Sequence, residues 1–387
     1  MSRVYLDHNA TSPLRPEARD AVLVALGVDG NASAVHRNGR GARAIIETAR
    51  EQLARLTGAE AKTITFTSGG SEAAATLLSP GFRGRNAGRE PIRTLIVSAI
   101  EHSCVLAGGR FADGAIHICP VDATGQIDLG ALEALLEGTP APHLVSVMAA
   151  NNETGVIQPL AGVAAICRAR GASLVIDAVQ ALGKIDLDIG RLGADAIFVS
   201  GHKIGGPQGV GAIIRASETV TFEPLIRGGG QEMRQRAGTE NLVGIAGFGA
   251  AARVVLGTLA AEAARLSTLR DWMEAEIVTI SPESRVVGLQ ANRLANTSLM
   301  VYPGLDGETA LIALDLANVS VSTGSACSSG KVQPSHVLAA MGLDPAEAKS
   351  ALRISLGWST TQDDVARFVA AFAAHAKTIA ARTIRAA

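Results

Sequence analysis

The chain has 387 residues, more than one ordinary hydrophobic core accommodates, so a large domain and a smaller one are expected. It is 47% hydrophobic with only 3% aromatic residues, an aliphatic balance that suits parallel strands covered on both faces by helices. Lys and Arg number 35 against 36 Asp and Glu, a net charge of −1 that offers no basic surplus for nucleic acid or an anionic membrane.

Residues 1–8 carry no apolar signal core, and Asp7 interrupts them early. Apolar stretches such as 242–252 fall short of the ~20 residues that span a bilayer. Cys104, Cys119, Cys167 and Cys327 lie far apart with no Cys-x-x-Cys pair, which fits neither a disulfide framework nor a self-contained metal site. The expectation is a cytoplasmic protein with reduced thiols, binding neither nucleic acid nor membrane.

In chain order, apolar runs at 63–66, 94–98, 144–148, 174–176 and 196–199 read as strands, with helical segments such as 130–136 and 160–170 between them. Strand–helix alternation predicts an α/β fold with a mainly parallel central sheet, whose ligands gather at the carboxyl ends of the strands. Residues 211–215 read as an antiparallel addition. From about Leu259 the texture changes. An Ala-rich helix is expected over 260–279 with Pro282 beyond it, then strands at 297–301 and 319–321 around a helix at 307–316. A closing helix begins near Thr361. The expected division is a large domain over 15–259 and a smaller α+β domain made of 1–14 plus 260–387.

The chemistry-bearing residues cluster at these strand ends. Gly69-Gly70-Ser71-Glu72 follows a strand and opens a helix, where free backbone amides attract a phosphate. The loop matches neither Walker A nor Gly-x-Gly-x-x-Gly, and a Gly-rich turn is also an ordinary structural connection. His102 follows the strand at 94–98, and Asn152 follows the one at 144–148. A histidine there is most often an ordinary loop residue but can stack on a cofactor ring, and the asparagine fits a turn or a ligand role equally well. Asp177 closes one buried run and is followed by Gln180, while Ser200-Gly201-His202-Lys203 closes the next. A lone lysine is usually a solvated charge, and a lone strand-end Asp is as readily a turn former as a ligand. Together they suit pyridoxal phosphate (PLP), whose aldehyde a lysine carries as a Schiff base and whose ring nitrogen an Asp keeps protonated. Ser200 and His202 are further phosphate donors.

Two residues of the smaller domain complete the set. Arg353 interrupts an alternating apolar run and reads either as half of a buried ion pair or as a bidentate grip on an α-carboxylate. Cys327 lies in a Gly- and Ser-rich stretch, 322–330, whose composition predicts a mobile loop carrying an exposed thiol. The other three cysteines read as small buried hydrophobes.

Taken with Tyr5-Leu6-Asp7-His8-Asn9-Ala10-Thr11, Glu101-His102, Asn151-Asn152-Glu153-Thr154-Gly155, Asp177-Ala178-Val179-Gln180, Arg236-Ala237-Gly238-Thr239 and Gly324-Ser325-Ala326-Cys327, the chain resembles, nearly end to end, the cysteine desulfurases of the iron–sulfur and nitrogen-fixation type. These belong to the class V aminotransferase group of fold type I PLP enzymes, with the aspartate-aminotransferase-like fold. The resemblance implies that Lys203 bears the cofactor and Asp177 partners its ring nitrogen. Gln180 and Asn152 would contact the ring hydroxyl region, Asn152 also the substrate. His102 would stack and shuttle protons, and Gly70, Ser71, Ser200 and His202 would hold the phosphate. It implies a homodimer in which Thr239 reaches the neighbouring subunit's cofactor. Arg353 would hold the carboxylate of L-cysteine, and Cys327 would accept the sulfur and pass it to an acceptor or scaffold protein for iron–sulfur cluster assembly. No resident metal is implied, although Cys327 could ligate a cluster transiently. Alternatives within the fold are an aminotransferase, a β-lyase or a selenocysteine lyase. From another class, a non-catalytic assembly subunit could use the Cys327 loop for docking.

Two motifs depart from the family pattern. The phosphate loop reads Gly70-Ser71-Glu72-Ala73-Ala74, in which the alanines remove polar support. An Asn-Pro-Ser-Ser-x-His motif has become Asn31-Ala32-Ser33-Ala34-Val35-His36, a change expected to loosen that loop.

Overall fold

Short apolar runs form strands, and Ala- and Leu-rich segments form helices, in close alternation. The computed structural model describes residues 3–85, 88, 90–323 and 335–386, with side chains described to residue 377. The first part runs β1 (Val4–Tyr5), α1 (Pro16–Leu26), α2 (Arg37–Thr57), β2 (Ile64–Thr67), α3 (Gly70–Leu77), β3 (Thr94–Ser98), α4 (Ser103–Leu106) and β4 (Ile116–Cys119). It continues with α5 (Leu129–Gly138), β5 (His143–Met148), α6 (Leu160–Arg170), β6 (Ser173–Asp177), α7 (Ile189–Leu192), β7 (Ala196–Ser200) and β8 (Gly211–Arg215). Then come α8 (Leu242–Ile280), β9 (Arg285–Val286), β10 (Thr297–Val301), α9 (Gly307–Leu316), β11 (Val319–Ser320), α10 (His336–Ala340), α11 (Pro345–Lys349), β12 (Ala351–Ser355) and α12 (Gln362–Ala386).

The central sheet has seven strands in the order β2-β8-β7-β6-β5-β3-β4. Strands β7, β6, β5, β3 and β4 are mutually parallel, and β8 runs antiparallel to both β7 and β2. All residues of β3, β5, β6 and β7 are buried, so these strands read as continuous apolar runs rather than as alternation. The mainly parallel α/β architecture is the expected one. The edge strand β4 has no counterpart in the sequence reading. Of its four residues only Cys119 is fully buried, and His117 breaks the apolar run.

A second, three-stranded antiparallel sheet, β12-β10-β9, lies beyond α8. Val4 and Leu6 at the start of the chain join Met273, Tyr302, Ile354 and Phe368 in its core, while β1 pairs in parallel with β11. The helix expected from Ala260 begins instead at Leu242 and continues unbroken to Ile280. Gly247 and Gly249 within it are sites of close approach rather than stops: a Cβ on Gly249 would stand 2.5 Å from Ala49 Cβ on α2, and one on Gly247 2.5 Å from Pro207 Cγ. By length and composition this helix is apolar enough to cross a bilayer, contrary to the sequence reading. Half of its most apolar window is buried inside the protein, with Ile245, Phe248, Ala252 and Val255 in the large core.

Candidate active site

Parallel strands β5, β6 and β7 end side by side, with Met148 opposite Asp177 and Asp177 opposite Phe198 in register. Their carboxyl ends open onto a cavity of about 370 Å³, within the range of small-molecule sites. Gly70 and Ser71 of α3, His102 after β3, Asn152 after β5, and Asp177 and Gln180 of β6 and its following turn line it. So do Ser200 at the end of β7, His202 and Lys203 just after it, and Arg353 of β12. Thr239 does not; it sits exposed in the loop before α8. Cys327 lies outside the described residues.

Lys203 follows a buried strand and turns back toward the N-terminal loop, where its Nζ donates to Asn9 O at 2.6 Å and Ala10 O at 2.8 Å. Asp177 is almost wholly buried. Its Oδ1 accepts from the Val179 N–H at 2.9 Å. Burial pushes its carboxyl up to about 6, only partly opposed by the bond from Val179 and the Lys203 ammonium. Helix α3 begins at Gly70 without a side-chain cap, so its first amides lack intrahelical partners.

His102 caps α4: its Nδ1 accepts from the Cys104 N–H at 3.2 Å and lies 3.1 Å from Cys104 Sγ. Burial lowers its pKa, as do the positive charges of Lys203 and His336. His202 is pushed down to about 4 by burial and Lys203, and its Nδ1 lies 3.1 Å from Thr11 Oγ1. Gln180 donates through Nε2 to Asn9 O at 3.0 Å, while its Oε1 accepts from Lys184 Nζ at 2.6 Å. That half-buried lysine therefore fixes the amide with its NH₂ group away from Lys184.

Arg353 unites the two readings the sequence left open. Its Nη2 donates to Asp7 Oδ1 at 2.6 Å and its Nη1 to Asn152 O at 3.2 Å, so it is half of an ion pair and also a wall of the cavity. Its Nε is buried without a partner among the described residues. Backbone bonds join Arg353 to Ser322, with Arg353 N–H to Ser322 O at 2.6 Å and Ser322 N–H to Arg353 O at 3.1 Å. On the far side of residues 324–334, Ser335 Oγ donates to Glu153 Oε2 at 2.5 Å, and His336 Nε2 lies 3.0 Å from Glu101 O. Both flanks of the segment containing Cys327 are thus fastened beside the cavity.

Sequence reasoning missed several contributors. Asn9 and Ala10 line the cavity and hold Lys203, and Asp7 pairs with Arg353. All three belong to a recognisable motif, but nothing local gives them a role. Cys104, read as a buried hydrophobe, lines the cavity and is only partly buried. Its thiol is pushed up to about 12 by burial and then by Asp177, so it stays protonated. The two departures are accommodated: Ala73 and Ala74 are fully buried in an apolar cluster with Leu77 and Phe82, so packing replaces polar support there. In the other loop Asn31 Oδ1 accepts from the Ser33 N–H at 2.8 Å, and His36 caps α2.

An α/β sheet thus presents a lysine and an aspartate beyond adjacent strands, beside an uncapped helix start. Residues 4–368 match the aminotransferase class-V family model, and the chain belongs to that family. It is 40% identical over 375 residues to a cysteine desulfurase of Cereibacter sphaeroides, spanning 95% of this chain and 94% of that protein. An IscS-like cysteine desulfurase of Mycobacterium tuberculosis is 38% identical over 367 residues, 93% of each. Among solved structures, a NifS-like protein from Rickettsia africae aligns with a TM-score of 0.85 at 36% identity, over 96% of this chain and 98% of that one.

Proposed function

We propose that the protein is a PLP-dependent cysteine desulfurase, converting L-cysteine to L-alanine and leaving the sulfur as a persulfide on Cys327. The observation that carries this reading is the convergence of Lys203, Asp177 and Arg353 on one cavity, with Arg353 tied through its backbone to Ser322, just before the Cys327 segment.

The residues present fit the cofactor. The unpartnered Arg353 Nε, the uncapped start of α3 and the buried carboxylate of Asp177 belong to residues that line the same space. Lys203 would hold the aldehyde, Asp177 the ring nitrogen, and Gln180 and Asn152 the ring hydroxyl region. Gly70, Ser71, Ser200 and His202 would hold the phosphate. The bound group supplies an electron sink that acidifies the substrate's Cα proton.

Arg353 is positioned to bind the substrate carboxylate, because one nitrogen is anchored on Asp7 and the fork therefore keeps a fixed orientation. Burial and nearby cations favour the neutral imidazole of His102, so a proton delivered to it is readily passed on. Cys327 thiolate attacks the substrate sulfur: an S–S bond forms, the Cβ–S bond breaks, and the three-carbon remainder takes up protons to become alanine. The persulfide then passes to a sulfur acceptor or scaffold protein for cluster assembly.

A homodimer is part of the proposal. Thr239 is exposed and away from its own chain's cavity, as a role in a partner's site requires, and Leu23, Val24 and Leu26 expose apolar surface on α1. The cofactor reading is tested by reducing the purified protein with borohydride and mapping the adduct by mass spectrometry. A pyridoxyl group on Lys203 is expected; an adduct elsewhere, or none, would overturn it.

A further inference from the structure

Three successive non-glycine residues, Glu232, Met233 and Arg234, have φ values of 46°, 56° and 67°. L-residues rarely adopt this left-handed conformation in a run, and it persists only where the surroundings over-determine it. The fastening is visible. Arg50 donates through Nη2 to Glu232 Oε1 and through Nη1 to Oε2, each at 2.8 Å, with both side chains almost wholly buried. The same carboxylate accepts from the Phe66 N–H of β2 at 2.8 Å.

Further ties follow along the segment. Thr65 Oγ1 donates to Gln235 Oε1 at 2.6 Å. Arg236 donates through Nε to Glu72 Oε1 at 3.0 Å and through Nη2 to Oε2 at 3.3 Å. Glu72 in turn accepts from the Ser68 N–H at 2.8 Å. Residues 232, 235 and 236 are all tied to 65–72, the strand, loop and first helical turn whose Gly70 and Ser71 line the cavity.

Glu72 is the third residue of α3, within the first turn of the uncapped helix start. Its bond to Ser68 braces the loop, and a lone carboxylate there would suit the helix dipole. A phosphate dianion at the same end would repel it. Burial alone would raise the Glu72 carboxyl, but the bonds from Arg236 and Ser68 outweigh it and hold the group below its ordinary value. Resting on the cofactor reading above, we infer that Arg236 is a positioning residue for the cofactor phosphate: held by the 232–234 turn, it neutralises Glu72, which can then brace the phosphate loop without repelling its ligand.

The test uses the full chain stripped of cofactor and titrated, by absorbance, with PLP and with pyridoxal, which lacks the phosphate. Arg236→Met should weaken PLP binding by about tenfold or more and leave pyridoxal within about twofold. Adding Glu72→Gln to that variant should recover much of the loss. Glu72→Gln alone, the fallback if Arg236→Met does not fold, should bind PLP at least as tightly as wild type. Unchanged PLP binding in Arg236→Met, equal weakening of PLP and pyridoxal, absence of recovery, or weaker PLP binding by Glu72→Gln would overturn the inference. Wild-type protein that binds neither compound overturns the cofactor reading, and this inference with it.

Discussion

Arg353 Nη2 donates to Asp7 Oδ1 at 2.6 Å, joining the second strand system to the N-terminal loop at the wall of the cavity. The same loop receives Lys203 through the carbonyls of Asn9 and Ala10, so residues 7–10 position both the proposed substrate grip and the proposed cofactor lysine. Asp7→Ala leaves a buried guanidinium without its counter-ion and should destabilise the protein by about 3 kcal/mol, read from urea denaturation. Arg353→Lys keeps the charge but loses the planar fork. It should raise KM for L-cysteine by about tenfold or more without changing cofactor content.

Asp177 gives the cofactor-free protein a pH signature. Its carboxyl is raised from 3.8 to about 6 in the folded state, chiefly by burial. Between these values the unfolded chain releases the proton while the folded chain keeps it, so stability falls as pH rises through the window. The loss amounts to about 2–3 kcal/mol, complete above the folded value. Glu101, wholly buried and raised well above its usual range by burial and then by Asp177, acts in the same direction. Asp177→Asn should flatten much of this slope in denaturation curves recorded between pH 4 and pH 7. Equal slopes in the two proteins would contradict the assignment.

The two thiols at issue should behave differently. Cys327→Ser should keep the yellow colour of the bound cofactor and abolish sulfide release. Cys104 should not substitute for it, because its thiol stays protonated with a pKa pushed up to about 12. Cys104→Ala should retain turnover within about twofold, since the thiolate fraction at Cys104 is negligible near neutral pH. Persulfide located at Cys104 by mass spectrometry after incubation with L-cysteine would reverse this assignment.

Residues whose role follows from a strand ending were legible in the sequence. Asp177, Ser200 and Lys203 terminate buried apolar runs, and the structure puts all three on the cavity wall. Residues recruited across the fold were not. Asn9 meets Gln180 and Lys203 only because the sheet and the N-terminal loop converge, and Arg50 finds Glu232 at a separation of 182 residues. No local pattern announces three left-handed residues in the order Glu-Met-Arg, because their conformation is imposed by long-range ties. The start of α8 was missed for a related reason. Gly247 and Gly249 resemble helix breakers in sequence but serve close packing against Pro207 and α2.

The amino-acid product distinguishes desulfuration from the other reactions open to this cavity. Purified protein incubated with L-cysteine and a reductant should yield L-alanine and sulfide in equal amounts, measured by chromatography and a sulfide assay. Pyruvate with ammonia, or a keto acid with pyridoxamine phosphate, would show that the cavity performs β-elimination or transamination instead and would contradict the assignment.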